Sequence, residues 1–237
     1  MLYVAGESIA VVLSPTDAAK VYKDEKPFSF DPFIDTIYRG VANVSAEGNT
    51  ILWRTPKEGF TSLHPNPKEK VLVHTGNALL HKQLLNPLAL QELTERVLSY
   101  IEGTTRWNSF FETSILSSRA DAKVVSLHCW CRDVLIEAQS RAFFGEYLRE
   151  LEPRMTAIFD EWDINSWMIT YRYPSFMAKA ATLPRDRLIR TLTRYLEAPR
   201  EKRSGGVPFV NELEDEERCA GLSKQDSARI LMIILWG

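Results

Sequence analysis

The segment VVSLHCWCRDVLIEAQSRAFFG, residues 124–145, is the stretch that decides the fold class. Apolar residues recur along it at helical spacing and cover a broad face, which predicts one long α-helix over 124–144. Gly145 is suited to end this helix, because glycine readily adopts the left-handed backbone conformation found at many helix C-termini. A helix with so broad an apolar face has to pack against other elements, so we expect a mainly helical domain around it.

The helical period continues on both sides of this segment. Asn66-Pro67 has the residue types of a helix start, and an apolar stripe follows over 90–101. Ser223 is suited to cap a final helix, which becomes apolar on all sides. We therefore predict that residues 67–237 are helical. The other helical stretches that the pattern predicts are 146–161, 175–198 and 210–219.

The part of the chain before this helical region has a different pattern. Residues 1–14 alternate in a β manner, which predicts a β-hairpin with strands over 2–5 and 9–13 around the turn Gly6-Glu7-Ser8. Residues 15–66 hold helix-start signals and clusters of turn formers, which predict short helices and a long irregular loop over 42–66. The whole pattern predicts a single domain over residues 1–237, mainly α-helical with a small N-terminal β-sheet.

Composition and charge exclude several classes of protein. Apolar residues make up 45% of the 237 residues and charged residues 25%, with a net charge of −2, as in ordinary globular chains. This charge gives no basis for nucleic-acid binding, which usually needs a basic face. Three cysteines do not predict a disulfide framework and favour a reducing compartment. No run reaches the roughly 20 apolar residues of a membrane span, so we expect a cytoplasmic or membrane-peripheral chain.

Five segments, in their order along the chain, are similar to the N-terminal half of a cytochrome P-450, a haem-thiolate monooxygenase. The segment 124–145, for example, resembles the long central helix of that family, which ends in an aromatic pair and glycine. The resemblance covers essentially the whole chain and is strongest to the fungal branch related to sterol hydroxylases and prostacyclin synthase. The segments are the hairpin with SPTDAAKVYKDEKPFSFDPF (14–33), HTGNALLHKQLLNPLALQELTERVLSYI (74–101), VVSLHCWCRDVLIEAQSRAFFG (124–145), FDEWDINSWMITYRYPSFMAKAATLPRDRLIRTLTRYL (159–196) and GLSKQDSARILMIILWG (221–237).

The resemblance implies a partial cytochrome P-450 fold. It places 74–101 at the haem edge, 159–196 over the substrate pocket and 221–237 at the start of the helix that crosses the haem. Members of the family insert one oxygen atom of dioxygen into an apolar sterol, terpenoid or secondary metabolite. Haem is their cofactor, an NADPH-dependent reductase supplies their electrons, and the endoplasmic-reticulum membrane is their usual location. In such enzymes the cofactor carries the chemistry, while the protein supplies ligation, orientation and exclusion of water.

The sequence departs from the family pattern in ways that bear on activity. The family's oxygen-activating acid-Thr motif, its Glu-x-x-Arg helix and its haem-ligating cysteine loop all belong after the position of Gly237. The haem-edge helix of the family usually carries Trp and Arg where this sequence has Ala78 and Lys82. We therefore expect no monooxygenase activity and no bound haem from residues 1–237 alone.

The resemblance implies two sets of site residues. Lys82, His81 and His74 are candidates for the haem-propionate side, where Lys82 would act as a point charge without the planar fork of arginine. The alternative for these three is a solvated helix face. Four residues are candidates for lining an apolar substrate pocket, although aromatic residues at helical spacing are often plain core. These four are Trp162, Trp167, Met168 and Tyr171.

The sequence predicts no metal site and no catalytic triad. His128, Cys129 and Cys131 would point to different sides of a helix, whereas a zinc site needs about four converging ligands. Cys219 lies in a charged helix end, unlike the shielded position of a haem thiolate. His64 has no Asp or Ser partner that the sequence reveals, and neither common phosphate-loop motif is present.

The apolar run from Ile230 to Trp236 is typical of a helix buried on all sides. Since the sequence ends directly after this run, we expect a P-450-like chain with an incomplete core. An uncovered helix would expose an apolar patch larger than monomers normally tolerate, and the chain would then self-associate through it. Three functions stay open: a truncated monooxygenase-family product, a non-catalytic module that binds an apolar ligand, and a protein that binds a partner chain.

Overall fold

The computed structural model describes residues 2–4, 7–23, 29–56 and 61–236, and it is mainly helical with small antiparallel β-sheets, which confirms the predicted class. The first six helices are α1 (Pro15–Lys23), α2 (Asp31–Thr36), α3 (Ala46–Trp53), α4 (Leu72–Leu85), α5 (Pro87–Thr104) and α6 (Leu127–Phe144). The others are α7 (Tyr147–Leu151), α8 (Met155–Asn165), α9 (Trp167–Thr170), α10 (Lys179–Glu197), α11 (Pro208–Cys219) and α12 (Lys224–Trp236). A π-helical segment spans Ile37–Val41, and a 3-10 turn spans Glu112–Ser114.

The predicted N-terminal hairpin is present. Strands β1 (Leu2–Val4) and β2 (Glu7–Ile9) pair antiparallel, with Val4 opposite Glu7 at the turn end. The second strand therefore begins two residues earlier than the predicted span of 9–13. The turn residues 5 and 6 lie outside the described residues.

A second hairpin interrupts the region predicted to be wholly helical. Strands β3 (Ile115–Ser118) and β4 (Lys123–Val125) pair antiparallel, with an irregularity in register near Ser117. The predicted helix over 124–144 consequently starts later, at the first residue of α6. Ser126 ends the strand region and caps this helix by accepting a hydrogen bond from the backbone N–H of Cys129 at 3.3 Å. The prediction of helix throughout 67–237 is thus wrong at this point.

The predicted loop over 42–66 contains a regular helix, α3. Ser45 is its N-cap, and the Ser45 hydroxyl accepts from the Gly48 N–H at 2.9 Å. The same hydroxyl donates to Asp226 Oδ2 at 2.7 Å, and the Ser45 N–H donates to Asp226 Oδ1 at 2.9 Å. The cap thus depends on a carboxylate of α12, which supplies the tertiary support that a short helix needs.

The helix predicted to open at Asn66-Pro67 begins later, at the first residue of α4. Asn66 closes a local loop instead: its side chain accepts from the Lys70 N–H and donates to the Lys70 carbonyl, both at 2.9 Å. Side chains that bond the nearby backbone in this way compete with helix formation. The predicted end of α6 is confirmed, because Gly145 has a φ of 72°.

The core forms where α10 packs against both α8 and α12, while α5 packs on α6 and α4 on α11. Tyr195 of α10 is fully buried and meets Phe144 edge-on, with ring centroids 5.6 Å apart. The Tyr195 hydroxyl donates to the Phe144 carbonyl at 3.0 Å, so its polar atom is satisfied inside the core. This contact ties the end of α6 to α10.

The apolar run of α12 is largely covered by the chain itself. Ile230, Leu231, Met232 and Leu235 are buried in the core, and Ile233, Ile234 and Trp236 are partly buried against it. The large open patch expected for this run is therefore not present in the described residues. Self-association through Ile230 to Trp236 stays a prediction, but only the partly exposed side chains of Ile233, Ile234 and Trp236 are accessible for it.

Candidate functional site

The three basic residues predicted for a haem edge lie along α4, but they do not converge. His74 Nε2 lies 2.8 Å from Asp31 Oδ1. Lys82 Nζ lies 2.9 Å from Glu212 Oε1, and His81 is exposed. His74 and His81 are about two turns apart on one face of the helix, and Lys82 points about a quarter turn away. The arrangement is that of a solvated helix face with two carboxylate partners.

The four residues predicted for the substrate pocket are separated by the fold. Trp162 of α8 has 0% of its surface exposed and packs at 5.7 Å from Phe159 and 5.0 Å from Trp236, measured between ring centroids. Trp167 and Tyr171 are exposed, and Met168 is half-buried. Trp162 is therefore a core residue and does not line a common pocket with the other three.

Between the end of α8 and the first half of α10, many large apolar side chains are exposed within a short stretch of sequence. We call it the 164–183 surface. Within it the ring of Trp167 meets that of Tyr173 edge-on, with centroids 5.2 Å apart. Phe176 follows in the turn before α10 with 72% of its surface exposed. The members are Ile164, Trp167, Tyr171, Tyr173, Phe176, Met177 and Leu183.

An acidic run over 214–217 on α11 places four consecutive carboxyl groups in different surroundings. Glu214 accepts from Arg203 Nη1 at 2.9 Å, and Arg203 is itself buried. Asp215 accepts from Arg200 Nη2 at 2.7 Å, and this hydrogen bond holds the pKa of Asp215 below its usual range. These two ion pairs attach α11 to the loop that precedes it.

The third carboxylate, Glu216, anchors the loop before α4. It is fully buried and accepts from the backbone N–H groups of Leu63, at 3.1 Å, and His64, at 2.6 Å. His64 Nδ1 lies 2.7 Å from Glu216 Oε1, so this histidine has the acidic partner that the sequence did not reveal. The Ser62 hydroxyl donates to the Glu216 carboxylate and the His64 carbonyl, not to the imidazole. The three side chains therefore form a loop anchor without the relay order of a catalytic triad.

The fourth carboxyl, Glu217, points into the interior, where only 1% of the residue is exposed. Burial raises the pKa of Glu217 to about 8, and the nearby Ser227 hydroxyl opposes this effect. The sequence carries a signal for this placement, because Glu217 follows Val210 and Leu213 on the apolar stripe of α11. A carboxyl with a strongly shifted pKa inside a protein is a candidate for a functional role.

The described residues do not fit a haem-thiolate site. Lys82 and His74 already pair with carboxylates, so a haem propionate would have to displace one of these partners. Cys219 is exposed, and Cys129 and Cys131 are only half-buried, whereas a haem thiolate needs a shielded position. Across the described ranges, no three or more His, Cys, Asp or Glu side chains are grouped so that they could hold a metal ion.

Comparison with protein-family models gave no match for this chain, and no curated protein matches it. Within the part of the chain that the structure describes, no helix is both long and apolar enough to cross a membrane. Function therefore has to be inferred from the 164–183 surface, from the charges around it and from the buried groups of α11.

Proposed function

We propose that this chain is a cytochrome P-450-like helical module that holds an apolar small molecule of the sterol or terpenoid class. Two features support the family: the order of the five P-450-like segments in the sequence and a mainly helical fold with a small N-terminal hairpin. Oxygen chemistry is not assigned to the described residues, because their cysteines and paired cations do not fit a haem-thiolate site. The function proposed for this chain is therefore binding.

The 164–183 surface is the observation that carries the ligand class. It concentrates exposed aromatic and aliphatic side chains in one short segment, whereas apolar residues on most protein surfaces are scattered. Covering a single Leu or Phe side chain contributes about 1.5–3 kcal/mol, so a rigid apolar ligand that covers two or three of them would bind without a charged anchor. Trp167, Tyr171 and Tyr173 add flat rings against which a planar ligand can pack.

Replacing Phe176 and Leu183 together by serine is expected to weaken binding of a fluorescent sterol by about tenfold or more, because two exposed apolar contacts are lost. Binding is measured as energy transfer from the tryptophans to the sterol in a titration of the full chain. The matched control is Leu116→Ser on β3, which removes an equally exposed apolar side chain, 68% accessible, outside this surface. No saturable binding by the unaltered chain, or equal weakening by the control, would contradict the proposal.

We further propose that the chain works at a membrane surface without spanning it. Lys179, Leu183, Arg190 and Arg194 follow one another at helical spacing on one face of α10, and all four are exposed. Among the described residues, none of the three cations has a carboxylate partner within ion-pair distance. The same face also carries Asp186, which pairs with Arg185, and the exposed Glu197, so cations outnumber carboxylates on it. This excess of positive charge beside the apolar 164–183 surface suits anionic lipid headgroups, at about 1 kcal/mol for each Lys or Arg near the membrane.

Charge reversal at this face, Arg190→Glu with Arg194→Glu, is expected to abolish co-sedimentation with vesicles rich in phosphatidylserine, since each change removes an attraction and adds a repulsion. The unaltered chain should sediment with these vesicles and lose binding as salt rises. Arg119→Glu with Lys202→Glu makes the same change in net charge at two exposed positions elsewhere and should sediment normally. Equal binding to neutral and anionic vesicles would rule out the electrostatic role of α10.

A further inference from the structure

The carboxyl of Glu217 borders a small cavity that is partly open to solvent on the side of Asn77. The cavity has a volume of about 30 Å³ and lies between α4, α11 and α12, with Tyr38 of the π-helical segment at one side. Glu217 Oε1 has no hydrogen-bond partner among the described residues. Asn77 and Tyr38 are the other residues with polar side chains around it. The apolar lining includes Leu72, Val73, Leu80, Phe209, Ile230 and Ile234.

Among the described residues, no cation compensates the charge that Glu217 would carry. From its own helix it faces Glu214, which is paired with Arg203, and from α12 it faces Asp226, which is paired with Arg229. Both carboxylates add to the effect of burial and favour the protonated form of Glu217.

Tyr38 does not supply a charge either. Its pKa is raised to about 12, first by burial and then by the charge of Glu217, so it stays neutral. The residues of α3 and α4 that line the cavity carry no titratable side chain. At neutral pH the described lining is therefore uncharged, because Glu217, its one acidic residue, holds a proton.

We propose that this cavity is a hydration site whose filling is set by the charge on Glu217, so that ionisation of Glu217 draws in further water and loosens the packing of α12 against α11. A volume of this size admits one or two water molecules, which need two to four polar partners; Glu217, Tyr38 and Asn77 provide them. A bare carboxylate in such apolar surroundings is costly unless water reaches it. Further water can reach the carboxylate from the side of Asn77, which is exposed, and its entry would push Ile230 and Ile234 of α12 outward.

The direction of the pH effect follows from the raised pKa of Glu217. Below its ordinary pKa of 4.5 the folded and unfolded chains both hold the proton, and its contribution to stability is fully present. Between 4.5 and about 8 the unfolded chain releases the proton while the folded chain keeps it, so stability falls as pH rises. Above about 8 the folded chain ionises as well, and the cavity takes up water.

The test compares thermal unfolding and amide hydrogen exchange of the full chain at about pH 5 and about pH 8.5, with exchange rates corrected for their intrinsic pH dependence. Glu217→Gln keeps the shape of the side chain but cannot ionise, and we expect it to raise Tm by about 5–10 °C at the higher pH and by little at the lower pH. Protection of the α12 amides should fall at the higher pH in the unaltered chain and stay constant in this variant.

Two further variants make the result specific. Ser227→Ala removes the hydroxyl that favours the ionised form, so the pH at which α12 loses protection should move upward. Glu150→Gln, at an exposed position of α7, removes a carboxyl outside the cavity and should leave the pH profile unchanged. The proposal would be overturned if Tm depended on pH in the same way in the unaltered chain and in Glu217→Gln. It would also be overturned if protection of the α12 amides did not change with pH in either protein.

Discussion

Trp162→Ala is expected to lower the free energy of unfolding by about 3–5 kcal/mol, which is the range for removing a large aromatic side chain from a packed core. Trp162 has no exposed surface, and its ring lies against Phe159 of α8 and Trp236 of α12. The cavity left by alanine would therefore open between two helices that both pack on α10. Chemical denaturation followed by circular dichroism measures the loss.

Two companion variants separate packing from other effects of this substitution. Trp167→Ala removes the same type of side chain where 43% of it is exposed, and should change stability by less than about 1 kcal/mol. Trp162→Phe keeps a buried ring and removes an indole N–H that has no partner among the described residues, so it should cost much less than alanine. If Trp167→Ala lowered the free energy of unfolding as much as Trp162→Ala does, the explanation by burial would be wrong.

Gly145→Ala is expected to destabilise the chain by about 3 kcal/mol, through backbone strain and steric overlap together. Gly145 has a φ of 72° and a ψ of −172°, a conformation that residues with a Cβ rarely adopt. A Cβ at this position would also lie 2.5 Å from the carbonyl oxygen of Ser204. Because the obstacle is backbone, it cannot be relieved by a change of rotamer.

The backbone segment that contacts Gly145 contains Gly206, whose substitution tests the same steric explanation. A Cβ on Gly206 would lie 2.5 Å from the Phe143 carbonyl, and the neighbouring Val207 N–H donates to that same carbonyl at 3.1 Å. Gly206→Ala should therefore be similarly damaging. Gly103→Ala in α5 meets no atom within 4 Å and should instead stabilise the chain by up to about 1 kcal/mol. Equal effects of the substitutions at Gly145 and Gly103 would contradict the steric explanation.

The parts of the fold that the sequence predicts well are those whose signals are local. The apolar period before Gly145 predicts the end of α6 at Phe144 and places its start three residues too early, because helix periodicity and the terminal glycine lie within one segment. Helix α3 was missed because its cap is completed by Asp226, 181 residues away from Ser45. The β3–β4 hairpin is not predicted, because Val124 and Val125 of β4 continue the apolar pattern of the following helix and β3 is only four residues long.

The candidate site residues also differ in whether their surroundings depend on local or on long-range contacts. Exposure of Trp167 and burial of Trp162 cannot be told apart from sequence, since both are aromatic residues on short helices and only the position of α12 decides between them. The partner of His64 comes from α11, 152 residues along the chain. The interior position of Glu217, in contrast, is visible in the spacing of α11 but is obscured by the three acidic residues that precede it.

The contacts of the Asp226 carboxylate have a consequence for how this chain folds during translation. It accepts from the N–H and hydroxyl of Ser45 and from the hydroxyl of Ser223, so one side chain completes the first turns of both α3 and α12. During synthesis α3 emerges early, but its cap stays incomplete until residue 226 has left the exit tunnel. Until then α3 lacks this tertiary support, and the early segments around it are exposed to chaperones throughout that delay.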